Sequence, residues 1–305
     1  MVIRITRDKH IFKFGPKLKP AAYASPGDIV IFETYDCFAG QIKKETDLVT
    51  HIDFSRVNPA TGPLYVKNAE RGDALVVDIL DIKVNDIGIC VAVKGAGVLG
   101  DKVKNDKTRI CKIENKTIKF LENIEIPIRP MIGVIGVAYD EEIPTGTPYK
   151  HGGNLDTKEI TIGTRVFLPV FREGGLLAIG DLHAVQADGE ICVAACEVSG
   201  EVMVKVQVLK GLAPEWPVLE TNDAFYILVS DENVEKALRE ATDLAVKILQ
   251  SSLNISWEDA YMLASLVVDI QISQLVDPKK TIRARIPKQI LKDSSKILSA
   301  MKASF

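Results

Sequence analysis

Alternation of apolar and polar positions dominates the first two-thirds of the chain. GDIVIFET at 27–34 follows a Ser-Pro-Gly-Asp turn in which Pro26 and Gly27 suit the central positions. ERGDALVVDILDIKV at 70–84 repeats the grammar: a charged Gly-Asp turn, then a β-branched run. GTRVFLPVF at 163–171 and EGGLLAIGD at 173–181 repeat it again. EICVAACEVSGEVMVKVQVL at 190–209 reads as two strands of a hairpin around Ser199-Gly200. Short runs at this spacing predict a sandwich- or barrel-like β body rather than β-α-β units. The recurrent Gly-Asp is turn chemistry, and no sequence repeat is assigned from it.

The period changes after residue 230. Over 232–250 the positions Val234, Ala237, Leu238, Ala241, Leu244, Ala245, Ile248 and Leu249 keep helical spacing. Ser256 with Asp259 resembles a capping box and opens a second helix carrying Ala260, Leu263, Ala264 and Val267. TIRARIP at 281–287 alternates and ends at a proline, which predicts an edge strand. A last helix is expected over 288–302. The fold class is therefore α+β: a β-rich body over 1–230 carrying the candidate site, and a helical C-terminal part, 231–305, packed on it.

Composition narrows the function classes. The 305 residues are 47% hydrophobic and 26% charged, a globular balance with room for two packed subdomains. A net charge of −3 offers no basic field for nucleic acid or anionic lipid. The apolar runs at 75–80 and 176–179 are strand-length, far short of a membrane span. The N-terminal MVIRITRDKHIFKFG alternates and lacks the apolar core of a signal peptide. Five cysteines (Cys37, Cys90, Cys111, Cys192 and Cys196) lie scattered among aliphatics with no C-x-x-C pair. That pattern predicts neither a disulfide framework nor a zinc ribbon, and a reducing cytoplasm suits it.

Candidate chemistry centres on GDLHAVQADGE at 180–190. Strand alternation places Asp181 and His183 on one face, which suits two metal ligands or a carboxylate orienting an imidazole. Asp188-Gly189 then reads as a turn delivering Glu190 to the next strand. In HGGNLDT at 151–157, Gly152 and Gly153 permit close backbone approach, and their N–H groups suit oxyanion donation beside His151. In FETYDCFAGQI at 32–42, Glu33 and Asp36 fall near a strand exit. Cys37 invites a nucleophile reading, but the adjacent carboxylate raises its pKa and opposes activation. His51 and Asp53 form a weaker Asp-His pair.

Four blocks resemble the acetamidase/formamidase family: FETYDCFAGQI; NPATGPLYVKNAERGDALVVDI; HGGNLDTKEITIGTRVFLPVFREGGLLAIGDLHAVQADGEICVAACE; and MLASLVVDIQISQLVDPKKTIRARIPK. The resemblance implies hydrolysis of short carboxamides, such as formamide or acetamide, to a carboxylate and ammonia. It also implies a β-rich body with an α/β C-terminal part, assembled as a homodimer or higher homo-oligomer. Some relatives act on lactams, so the family does not fix the substrate. A divalent metal is implied at the acidic cluster, zinc first and calcium second.

Carried onto this sequence, the resemblance points to Glu33, Asp36, His151, Asp181, His183, Asp188 and Glu190. The mechanism it suggests uses Asp36, Asp181 and His183 as metal ligands, with Asp188 able to replace a carboxylate ligand. Glu190 acts as general base and then acid. His151, Gly152 and Gly153 orient the substrate or stabilise the oxyanion, and Asn154 and Glu33 complete the substrate-binding group. Cys37 departs from the small residue expected there, and Val185-Gln186-Ala187 fills a variable stretch expected to shape the pocket. Two other readings stay open. One is a non-catalytic β protein binding metal or sugar. The other is a cysteine amidase using Cys37, Glu33 or Glu190, and a lysine such as Lys43.

Overall fold

The computed structural model describes residues 1–303. Strand makes up 42% of it and helix 16%, in three helices, an α+β fold with a β-rich body. Eighteen strands are linked by hydrogen bonds into one network, with a separate two-stranded pair. The longest strand, Ala74–Ala92, explains much of that continuity. It pairs with Arg165–Pro169, with Glu197–Leu209 and with Lys107–Glu114. Its alternating aliphatic side chains, among them Leu75, Val77 and Ile79, enter the main core with Val202, Val204 and Val206 from its neighbour.

Helix α1, Val234–Leu253, buries most of the amphipathic face the periodicity predicts, although Leu238 is exposed, and Asn233 caps it by accepting from the Lys236 amide. Helix α2, Trp257–Val267, starts at Ser256, whose hydroxyl accepts from the Asp259 amide. Both contribute to a second core, against Phe225, Ile227 and Val229 of one strand and Ile282, Ala284 and Ile286 of another. No helix among the described residues is long and apolar enough to cross a membrane.

Three expected elements differ. Residues 190–209 are not a hairpin: Glu197–Leu209 is one continuous strand running through Ser199-Gly200. Gly200 faces the Lys83 carbonyl so closely that a Cβ would collide with it, and the pairing shifts register there. The glycine serves strand approach at a bulge rather than a turn. Lys280–Pro287 is not an edge strand, since Ala224–Asp231 pairs with one side and Asp269–Gln274 with the other. Its proline ends the strand and displaces no interior hydrogen bond. The last helix, α3, covers only Ser294–Ala300, because Asp293 accepts from the Ser295 amide and starts it there.

Candidate active site

Strand Leu177–His183 is buried along its whole length and ends at the site. Antiparallel pairing sets His183 opposite Glu197, the first residue of the next strand. That register explains the 3.1 Å approach of Nε2 to the Glu197 carboxylate. The Asp181 carboxylate lies 3.5 Å from the same nitrogen and that of Asp156 lies 3.7 Å from it. The same-face placement of Asp181 and His183 is thus met, although Asp181 is not regular strand. Its φ is +54°, and pairing with Met131–Gly136 skips it, passing from Leu182 to Gly180. Opposite the gap is Gly133. A Cβ there would lie 2.5 Å from Asp156 Oδ1 and 2.7 Å from Asp181 Oδ2, so only glycine admits both acids.

The other ring nitrogen of His183 is held by Gln186. The Gln186 amide nitrogen donates to the Asp156 carbonyl at 2.7 Å, which turns its oxygen toward Nδ1 at 2.8 Å. Nδ1 therefore carries the proton. A bare lone pair on Nε2 would face three carboxylates, so Nε2 is either protonated or turned toward a cation. Burial disfavours the charged imidazole, yet Glu197 and Asp181 outweigh burial and hold His183 well above its ordinary pKa.

Further acids close around this pair. Glu190 and Asp277 line a cavity of about 240 Å³ together with Asp181, Glu197, Cys37 and Asn154. Asp277 reaches it from the turn between Asp269–Gln274 and Lys280–Pro287, so the site is not confined to residues before 230. Asn154 donates to Asp277 at 3.2 Å, and Gln274 shapes the turn by accepting from the amides of Val276 and Asp277. Two groups of buried donors lie within 4.8 Å of one another: Cys37, Asp181 and Glu197, and Asp156, His183 and Glu190.

Burial sets the electrostatics. It pushes Asp156, Glu190 and Asp277 well above the carboxylate range, and their neighbours add to the rise: Asp277 for Asp156, Asp156 for Glu190, Glu190 for Asp277. Burial and Asp181 push Glu197 up to about 7 against the pull of His183. Burial, then Glu197 and Asp181, push the Cys37 thiol up as well. One oxygen on each of Asp156, Asp181, Glu190, Glu197 and Asp277 accepts no hydrogen bond. Asp156, Asp181 and Glu190 all take positive φ, at +39°, +54° and +44°. Strain of this kind is held only where the surroundings over-determine it.

Several expected residues lie elsewhere. Asp36 does not join the donor groups; one of its oxygens accepts from the amides of Phe38 at 2.9 Å and Gly40 at 3.2 Å and so shapes the turn. Glu33 pairs with Arg4 at 2.7 Å outside the cavity. Asp188 binds Lys158 and Arg283, both at 2.8 Å, and joins neither donor group. His151 is enclosed by Phe14 and Tyr139 with neither ring nitrogen hydrogen-bonded, and burial lowers its pKa to about 3. It is a neutral packing group. Gly152 and Gly153 stand where any Cβ would strike the carbonyls of Ile135 and Thr147. The Gly152 amide donates to the Tyr149 carbonyl and is no oxyanion donor. Of HGGNLD, it is Asn154 and Asp156 that reach the site.

Glu197, Asp156 and Asp277 are additions that pattern reading missed. The signal for Glu197 was present: a single Glu inside the aliphatic run VAACEV is a buried charge in waiting. Asp277 sits in VDPKK, which reads only as a turn.

The sequence profile of the Acetamidase/Formamidase family matches residues 5–147 and 143–293, and the chain belongs to that family. It is similar to the crystal structure of an acetamidase from Bacillus halodurans: 43% identity, 95% of this chain and 98% of that one covered, TM-score 0.93. A predicted acetamidase/formamidase from Thermoanaerobacter tengcongensis is 41% identical, with 97% and 99% covered and a TM-score of 0.94. A formamidase of Methylophilus methylotrophus is 28% identical over 258 residues, 65% of this chain, and the match spans only 63% of that protein's length.

Proposed function

We propose that the chain hydrolyses the C–N bond of small carboxamides to a carboxylate and ammonia, in the cavity floored by Asp181, Glu190, Glu197 and Asp277. The observation that carries this reading is the convergence of four buried carboxylates, Asp156, Asp181, Glu190 and Glu197, on one imidazole, with Asp277 on the same cavity and each of the five keeping an oxygen that accepts no hydrogen bond. Membership of the family and the names of its relatives support it.

A divalent cation fits this donor set, because so many buried carboxylates repel unless a positive charge offsets them. Asp181, His183 and Glu197 would hold it, with Asp156 beside them. One imidazole with carboxylates, and the Cys37 thiol within reach, suits zinc first and calcium second. When bound, it would lower the pKa of a water and polarise the carbonyl. Glu190 lines the cavity and has an oxygen that accepts no hydrogen bond, so in its ionised form, which a cation among its acidic neighbours would favour, it takes the proton from the attacking water. As oxygen adds to the carbonyl carbon and the C–N bond breaks, Glu190 returns that proton to the departing nitrogen. Asn154 Oδ1, which lacks a partner, accepts from the substrate amide N–H. Gln186 fixes the His183 tautomer. The thiol mechanism is disfavoured: Cys37 is buried among acids, with Lys43 exposed at the surface and Glu33 bound to Arg4.

Two measurements test this. Purified chain should release ammonia from formamide or acetamide, should contain stoichiometric divalent metal, and should lose activity to a chelator. No ammonia from any carboxamide would overturn the hydrolase reading, and full turnover by metal-free protein would overturn the cation. Gln186→Leu, which frees the His183 tautomer, should lower metal affinity or kcat/KM by about 10- to 100-fold. A change of less than about twofold would remove Gln186 from the site.

A further inference from the structure

The cavity above the acids has a chemistry of its own. Apart from the acids, Asn58 and Asn154, its lining is apolar: Phe38 from the turn that Asp36 shapes, Val49 and Ile52 from the segment around a single-turn helix, Val91 and Val93 from the long central strand and its exit, and Val193. These side chains belong to one apolar cluster that also includes Ile42 and Ile89. The acids Asp181, Glu190, Glu197 and Asp277 line the same cavity. At about 240 Å³ the space equals that of roughly eight waters in the liquid. Formamide has three non-hydrogen atoms and acetamide four. Either would leave half or more of the space as wet apolar wall.

Val193 is an independent sign. It takes φ +79°, a conformation very unfavourable for a β-branched residue. Glycine or asparagine would relieve that strain, yet the chain holds an isopropyl group against the cavity. Its neighbours in the loop, Glu190 and Ala194, line the same space.

We infer that the preferred substrates are primary amides whose acyl group carries an apolar chain of about three to five carbons, seated against the Phe38–Val91–Val193 wall. This rests on the amide-hydrolase reading above. The substituent belongs to the acyl side because the departing nitrogen must meet Glu190 and Asn154. An alkyl group on nitrogen would be driven among the carboxylates.

The test uses the metal-loaded full chain and linear primary amides from formamide to hexanamide. From acetamide to butyramide, kcat/KM should rise at least about tenfold, since a methylene in a fitted apolar pocket is worth about 10- to 200-fold. Val49→Phe, which fills the cavity, and Val193→Gly, which removes a wall, should each lower the butyramide-to-formamide ratio about tenfold. Val193→Gly should not lower the melting temperature, so loss of selectivity there is not loss of fold. A flat or falling series, N-propylformamide outrunning butyramide, or unchanged ratios in both variants would overturn the inference. If no amide is turned over, the hydrolase reading fails by itself. The wall is then judged by ligand-induced thermal shift, where protection rising with chain length supports it and a flat series overturns it.

Discussion

Arg283→Met is expected to destabilise the protein by about 3 kcal/mol and to lower activity as well, although Arg283 lies outside the cavity. Its side chain is fully buried. Its guanidinium lies 3.1 Å from Glu159 and 2.8 Å from Asp188, and donates to the Ile272 carbonyl at 2.7 Å and the Ser273 hydroxyl at 3.3 Å. Removing it strands Glu159, 9% exposed at its side chain, without its ion-pair partner. It also unties two segments that carry acids of the site. Asp188 anchors the turn before Glu190, and Ser273 begins the approach to Asp277. These segments are themselves joined, the Gly189 amide donating to the Ser273 carbonyl at 2.8 Å and the Leu275 amide to the Gly189 carbonyl at 3.0 Å. Hydrogen exchange at the Gly189 and Leu275 amides should accelerate in Arg283→Met at temperatures where the protein is still folded. Arg283→Lys should recover part of the stability but not the exchange protection, because one ammonium cannot span carbonyl, hydroxyl and two carboxylates. Native protection in the methionine variant would show that Arg283 supports the core alone.

The same residue marks how far sequence pattern reaches. TIRARIP was legible as a strand, but alternation with a closing proline favoured an edge position, where an arginine would meet solvent. Neighbours on both sides, one of them supplied by residues 269–274, made Arg283 interior instead. Asp181 and His183 were legible because period-two alternation needs only the local chain. Glu197 was not: it reaches His183 through a strand register, and Ser199-Gly200 imitated a turn that would have broken that strand. Asp277 is farther still, brought to Asn154 across 123 positions by the packing of the C-terminal strands. Residues taken from the motif blocks without a strand register to place them lie outside the cluster. His151 and the paired glycines owe their identity to tight packing around the strand Met131–Gly136, and Asp36 to its own turn.

Glu190→Gln should lower kcat by about 10²- to 10⁴-fold, the range for losing a positioned proton-transfer group, while KM moves only a few-fold. The amide keeps the shape and burial of the carboxyl group and can occupy the same left-handed backbone position, so the variant should fold and retain its metal. What it loses is the capacity to take a proton from water and return it to nitrogen, an interaction made only on the way through the transition state. Glu197→Gln separates the two roles. It alters a residue 3.1 Å from His183 Nε2, and it should lose metal along with activity. Glu33→Gln is the surface control: its partner is Arg4, whose guanidinium also binds Glu201, and solvent screening leaves such exposed pairs worth little. Activity within twofold of the native chain is expected there. A Glu190→Gln protein with full metal and kcat reduced less than about tenfold would reassign the proton transfer, and Asp277, the other cavity acid outside the proposed ligands, would be the group to test next.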